Sequence, residues 1–122
     1  VRVLIVDDQE INRIVPRTHL ERLGVSAAEA EDGRTALDLL AAGGFDTVLL
    51  DLGMPGLSGL DVCRRVRADP ALRGVRLIAY TAPGPAQPAD EIMAAGFDGL
   101  LAKPVRRDAL IRALGLDGAP PG

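Results

Sequence analysis

Five side chains suited to handling ions stand just beyond apolar runs: Asp7 and Asp8 after Val3-Leu4-Ile5-Val6, Asp51 after Val48-Leu49-Leu50, Thr81 after Leu77-Ile78-Ala79-Tyr80, and Lys103 after Leu100-Leu101-Ala102. Lys103 is the only lysine, the other 13 of the 14 basic residues being arginine. A compact ammonium on a flexible stem suits a crowded acidic spot better than the wide planar fork of a guanidinium. Three carboxylates within roughly 4–6 Å of one another repel by several kcal/mol at an effective dielectric near about 20, so a cluster of Asp7, Asp8 and Asp51 needs a counter-charge. Hard oxygen donors with room for water favour Mg²⁺, with Mn²⁺ as the alternative, over zinc; such sites commonly share the metal with a phosphate oxygen. The pattern therefore points to phosphate chemistry. Singly, each residue has a plainer reading: the acidic pair as a helix cap or solvated loop, Met54-Pro55-Gly56 as a turn, Thr81 as a cap. Their joint placement carries the argument.

That placement depends on elements able to bring distant residues together. Five short runs rich in Val, Ile and Leu alternate with five segments of helical periodicity, giving a (βα)5 reading. The strands are expected at Val1 to Val6, Val25 to Ala30, Thr47 to Leu50, Arg76 to Tyr80 and Gly99 to Ala102. The helices are expected at Ile11 to Leu23, Arg34 to Ala42, Ser58 to Ala68, about Ala89 to Ala95 and about Arg106 to Leu114. Unbroken apolar strands suit a parallel sheet covered on both faces, and hence an α/β three-layer sandwich whose ligands sit beyond the C-terminal strand ends. In the order 2-1-3-4-5, strands one, three, four and five are neighbours, and the five polar residues converge. Gly24 and Gly43 end the first two helices, and Ser58 with Asp61 makes a capping pair for the third. Pro16 falls inside helix one and predicts a kink; Pro83, Pro85 and Pro88 delay the start of helix four, with Pro88 in its first turn.

A length of 122 residues fits one domain, expected over 1–115, with 116–122 as a linker-like tail. The Val1 start and that tail lead us to expect a piece of a longer protein. With 48% hydrophobic and 25% charged residues the chain can bury a core, which excludes a disordered class. Aromatics at 2% and a net charge of −3 argue against direct nucleic-acid binding. No apolar stretch is long enough to span a bilayer and no signal peptide is present, so a cytoplasmic location without membrane insertion is the expectation. Cys63, the single cysteine, is expected to pack in the core rather than bind zinc or pair. Neither a Gly-x-Gly-x-x-Gly nor a Walker-type loop follows strand one, which disfavours a nucleotide-using enzyme.

In order along the chain, Val6-Asp7-Asp8, Leu49-Leu50-Asp51 with Met54-Pro55-Gly56, Tyr80-Thr81-Ala82, Ala94-Ala95-Gly96-Phe97 and Lys103-Pro104 resemble the receiver domain of two-component response regulators, the flavodoxin-like fold of chemotaxis regulators. Asp7-Asp8-Gln9-Glu10-Ile11-Asn12-Arg13 and Leu20-Glu21-Arg22-Leu23-Gly24 resemble the receivers of hybrid sensor kinases and phosphorelay proteins in particular. The resemblance implies that Asp51 takes a phosphoryl group from phosphohistidine. It implies that Asp8, Asp51 and the Gly53 backbone carbonyl ligate Mg²⁺ with Asp7 acting mainly through water, and that Lys103 and Thr81 bind phosphoryl oxygens. It also implies a cis peptide before Pro104. The implied partners are a histidine kinase or histidine phosphotransfer protein, a tethered kinase or output domain, or a second copy of the chain; the helix-one face of Ile11, Asn12, Ile14 and Val15 is the docking surface it suggests. The domain is then a phosphoacceptor switch with only self-catalysed phosphorylation and dephosphorylation, not a metabolic enzyme. The alternative is a pseudo-receiver that binds proteins without being phosphorylated.

The chain departs from the family at Leu100, where receivers usually carry an aromatic switch residue; Tyr80 is a substitute in sequence but should point to the other face of the sheet. A weaker or differently routed output is expected. Small Gly53 and Pro83, each two residues after a site residue, predict a poorly shielded and short-lived phosphate. His19 reads as a partly exposed helix residue rather than a phosphohistidine, and Arg64, Arg65 and Arg67 as a solvated face.

Overall fold

The computed structural model describes residues 2–81 and 89–115. Five strands, β1 (Arg2–Val6), β2 (Ser26–Ala30), β3 (Thr47–Leu50), β4 (Arg76–Thr81) and β5 (Gly99–Ala102), alternate with five helices, α1 (Glu10–Arg22), α2 (Gly33–Ala42), α3 (Gly59–Ala68), α4 (Ala89–Ala94) and α5 (Arg107–Ala113). The sheet is parallel throughout, in the order β2-β1-β3-β4-β5. The elements match the sequence expectation to within a residue or so at each end. Ser58 and Arg106 flank α3 and α5 as caps rather than helical residues, and Thr81 is the last residue of β4. The expected position of Pro88 lies outside the described residues, as does the 116–122 tail.

Two apolar layers explain why the central strands read as unbroken hydrophobic runs. Side chains alternate across a strand, so Leu4, Val6, Val48, Leu50, Leu77 and Ala79 face one layer with Leu40, Val62, Val66 and Ile92. Val3, Ile5, Leu49, Ile78 and Tyr80 face the other with Leu20 and Leu110. Leu49 and Leu50 are both fully buried, and truncating either to Ala is expected to cost about 2–5 kcal/mol.

Local chemistry sets the helix ends. Asp32 accepts from the Thr35 amide at 2.7 Å to start α2. At α3 Ser58 and Asp61 form the expected reciprocal box, with distances of 3.2 Å in both directions. α1 runs on as one helix through the buried Pro16, and Gly24 closes it at φ 72°. Cys63 is buried as expected, its thiol 3.3 Å from the Ala95 carbonyl. His19 is half-buried, its Nδ1 enclosed without a hydrogen bond among the described residues. Among those residues no helix is long and apolar enough to cross a membrane.

One residue of the expected solvated face is not solvated. Arg64 and Arg65 are exposed, but Arg67 lies across the N-terminal ends of β4 and β5. It donates to the carbonyls of Gly96 (2.8 Å), Arg73 (2.7 Å) and Val75 (2.6 Å) and to Asp98 Oδ2 (2.8 Å). Carbonyls in the loops that lead into these strands need a donor from elsewhere, and a guanidinium fork reaches all three together with the carboxylate.

Candidate functional site

The sheet register carries the polar residues to one edge. Val6 pairs with Leu50 and Thr81 with Ala102, so Asp7 stands beside Asp51, and Lys103 follows the partner of Thr81. Backbone hydrogen bonds continue the ladders into the site: the Asp51 amide donates to the Val6 carbonyl at 2.9 Å and the Lys103 amide to the Thr81 carbonyl at 2.9 Å. Gly59 allows the start of α3 to close on β3, since a Cβ there would overlap the Asp51 carbonyl oxygen. The Lys103–Pro104 peptide is cis, as expected.

Asp7 is fully buried and Asp51 is 7% exposed, whereas Asp8 faces solvent. Ligand oxygens of the three lie within 4.8 Å of one another. Lys103 Nζ sits between two of them, 2.5 Å from Asp7 Oδ2 and 3.1 Å from Asp51 Oδ1. The contact with Asp7 is a close ion pair between a nearly buried ammonium and a fully buried carboxylate. Asp7 Oδ1 accepts from the Gln9 amide at 3.0 Å and, at 3.5 Å, from Asn12 Nδ2. Asp51 Oδ1 accepts also from the Gly53 amide at 3.3 Å. Asp51 Oδ2 has no donor among the described residues.

Three acids and one base leave negative charge uncompensated. Burial pushes the Asp51 pKa up, and Asp7 adds to this, against the opposing pull of Lys103 and the Gly53 amide. Burial alone would lower the Lys103 pKa, but its close contacts with the Asp7 and Asp51 carboxylates raise it on balance. The ammonium is therefore firmly charged. Crowded, partly desolvated carboxylates with an excess of anion fit a hard divalent cation, which Asp7, Asp8 and Asp51 could hold.

The remaining expected residues fall into two groups. Thr81 is half-buried at the same strand end. Tyr80 points away from it into the layer beneath α5, only 1% exposed, with its ring centroid 5.2 Å from Lys103 Nζ. Burial raises its phenol pKa, against the opposing influence of the nearby Val105 backbone and Lys103. Leu100 is 42% exposed and pairs with Ala79, so Tyr80 does not occupy its place. On α1, Ile11 and Ile14 are exposed, but Val15 packs partly into the second apolar layer rather than lining a free surface.

Sequence reasoning did not single out Arg13 or Glu29. Arg13 Nη1 donates to the Asp7 carbonyl at 2.7 Å while its Nε bonds Glu29 Oε1 at 3.1 Å, and Arg17 bonds the other oxygen of Glu29 at 2.9 Å. The available signal was a glutamate inside β2, where a charge needs a partner.

Comparison with known proteins agrees with this geometry. The family model for the response regulator receiver domain matches residues 3–115. The chain is 38% identical over 111 residues to the chemotaxis protein CheY of Pseudomonas aeruginosa, covering 90% of each. It is 40% identical over 117 residues to the sensor histidine kinase AruS of the same organism, covering 94% of this chain and 12% of the kinase. Among solved structures, the chemotaxis response regulator CheY4 of Vibrio cholerae superposes with a TM-score of 0.85 at 28% identity, covering 95% of this chain and 97% of that one. The chain thus spans nearly all of the chemotaxis protein but about an eighth of the sensor kinase (12%). With a parallel 2-1-3-4-5 sheet, acids at two strand ends and a lysine at a third, this chain belongs to the response regulator receiver domain family of two-component systems.

Proposed function

We propose that Asp51 is a phosphoacceptor for phosphohistidine, with Mg²⁺ held by Asp7, Asp8, Asp51 and the Gly53 carbonyl, Asp7 contributing mainly through water. The observation that carries this reading is Lys103 Nζ at 3.1 Å from Asp51 Oδ1, beside an uncompensated acidic cluster, with Asp51 Oδ2 left without a donor among the described residues. An Asp51 oxygen forms a bond to phosphorus while the donor's P–N bond breaks; the electron pair stays with the imidazole nitrogen, which takes a proton from solvent. Bound Mg²⁺ supplies the charge that lets an anionic carboxylate approach an anionic phosphoryl group. Lys103 then binds one phosphoryl oxygen and the Thr81 hydroxyl donates to another, shifting the end of β4. Hydrolysis reverses the state: water attacks phosphorus, the Asp51 O–P bond breaks, and inorganic phosphate leaves. The output is a changed surface read by a partner, a tethered kinase or output domain, or a second copy. Leu100 in place of an aromatic favours an output route that does not use an aromatic rotamer. The functional unit is 1–115 with 116–122 as linker, acting in the cytoplasm upon phosphorylation by a histidine kinase or phosphotransfer protein.

The test is intact mass after incubation with acetyl phosphate and Mg²⁺, beside a chelator control and Asp51→Asn. A gain of one phosphoryl group that needs both Mg²⁺ and Asp51 is expected. An unmodified mass with acetyl phosphate and with phosphoramidate overturns the reading in favour of a pseudo-receiver that acts by protein contacts alone.

A further inference from the structure

The three acids of the site are not held alike. Asp7 is fixed by the Gln9 amide and Lys103, and Asp51 by Lys103 and the Gly53 amide. The exposed Asp8 carboxylate has no donor among the described residues, so its position is set by its backbone. That backbone is pinned on one side only by groups outside its own strand: the Asp7 amide donates to the Ala30 carbonyl at 3.1 Å, and the Asp7 carbonyl, which is half of the Asp7–Asp8 peptide, accepts from Arg13 Nη1 at 2.7 Å. Arg13 is 15% exposed in its side chain and is itself anchored on β2 through Glu29, with Arg17 as the second guanidinium on that carboxylate.

We infer that Arg13, anchored by Glu29, is a positioning residue of the acidic site: it fixes the Asp7–Asp8 peptide and thereby the placement of the Asp8 carboxylate toward a divalent cation. This rests on the proposed function for its purpose, and on the hydrogen bonds alone for its geometry. A planar guanidinium can serve a carbonyl on one edge and a carboxylate on another with fixed angles between them, which an ammonium cannot do. Glu29 also offsets the positive charge that Arg13 would otherwise present to a cation. Groups that orient metal ligands from one shell out commonly change metal affinity by about 10–100-fold.

Charge and positioning predict opposite signs, which makes the inference testable. Removing a cation beside a metal site tightens Mg²⁺ binding if Arg13 acts only through its charge. Loss of the brace weakens it. Mg²⁺ titration of the whole chain by calorimetry is the measurement, on the unaltered protein and on Arg13→Met, Arg13→Lys and Glu29→Gln. The expected result is about tenfold weaker Mg²⁺ binding in Arg13→Met and Glu29→Gln, with Arg13→Lys recovering only part of it. In the metal-free protein, amide hydrogen exchange at Asp8 and Gln9 is expected to quicken in the same variants. Unchanged or tighter Mg²⁺ binding in Arg13→Met, with unchanged exchange at Asp8, overturns the inference even if melting temperature falls. If Arg13→Met does not fold, the same two readings on Glu29→Gln decide the question. An unaltered protein that binds Mg²⁺ but takes no phosphoryl group overturns the proposed function and leaves this titration decisive. One that binds no Mg²⁺ overturns both.

Discussion

Charge is concentrated at both ends of this sheet, and the two ends treat it in opposite ways. At the N-terminal ends of β4 and β5 a single guanidinium, Arg67, meets three carbonyls and the Asp98 carboxylate, tying the loops there to one side chain. At the C-terminal ends Asp7 and Asp51 share one ammonium beside the exposed Asp8, and the charge on Asp51 is opposed by both burial and repulsion. A satisfied charge ties elements together, whereas a buried unsatisfied one is a cost that folding alone would not retain. The difference marks the C-terminal edge as the place where charge is kept at a cost, without reference to any relative.

Breaking the satisfied end gives the larger stability effect. Arg67→Met removes the guanidinium from three carbonyls and leaves the Asp98 carboxylate with the Leu77 amide, and is expected to lower unfolding free energy by about 2–3 kcal/mol in urea titration. An equal stability in Arg67→Met would remove the contrast between the ends.

Relieving the unsatisfied end goes the other way. Because the Asp51 pKa is raised in the folded state, folding favours the protonated acid. That contribution is full below the unfolded value and is lost as pH rises through the raised folded value. Asp51→Asn, which cannot ionise, is therefore expected to be more stable than the unaltered chain by about 1–2 kcal/mol at neutral pH. The gap should close as pH falls through the raised pKa toward the ordinary aspartate range. Urea unfolding at a series of pH values checks this, and a variant that is less stable at neutral pH would show that Asp51 is a net stabilising partner of Lys103.

A smaller effect concerns lifetime rather than stability. A side chain at position 53 would enter open space, since an added Cβ meets nothing within 4 Å. Gly53→Arg is expected to shield the phosphoryl group and slow its loss severalfold, followed by intact mass after donor removal. An unchanged lifetime would mean that exposure at position 53 does not set the rate.

The legible parts of the molecule are those in which sequence neighbours decide the outcome. Thr47–Leu50 and Val3–Val6 are apolar almost without interruption because two layers cover them, and Ser58 with Asp61 caps α3 through side chains three residues apart. The site was legible because a parallel sheet puts strand ends together, so Asp7, Asp51, Thr81 and Lys103 could be collected from strand boundaries alone. Arg67 was not legible: its partners are backbone carbonyls at 73, 75 and 96, which every sequence possesses. Arg13 escaped for the same reason, its acceptor being the Asp7 carbonyl rather than a side chain. Val15 was assigned to a docking face by the resemblance, which indicates a helix face but not how deep each of its side chains sits.

The central claim, that Asp51 is the phosphoacceptor, is tested most directly by locating the phosphoryl group chemically. The chain is incubated with phosphoramidate, whose P–N bond resembles that of phosphohistidine, in the presence of Mg²⁺, then reduced with borohydride and digested. Reduction of an aspartyl phosphate leaves homoserine, and the account predicts homoserine at position 51 only, abolished by chelation. Homoserine at another acid, or aspartate intact at 51 after phosphorylation has been detected, would contradict it.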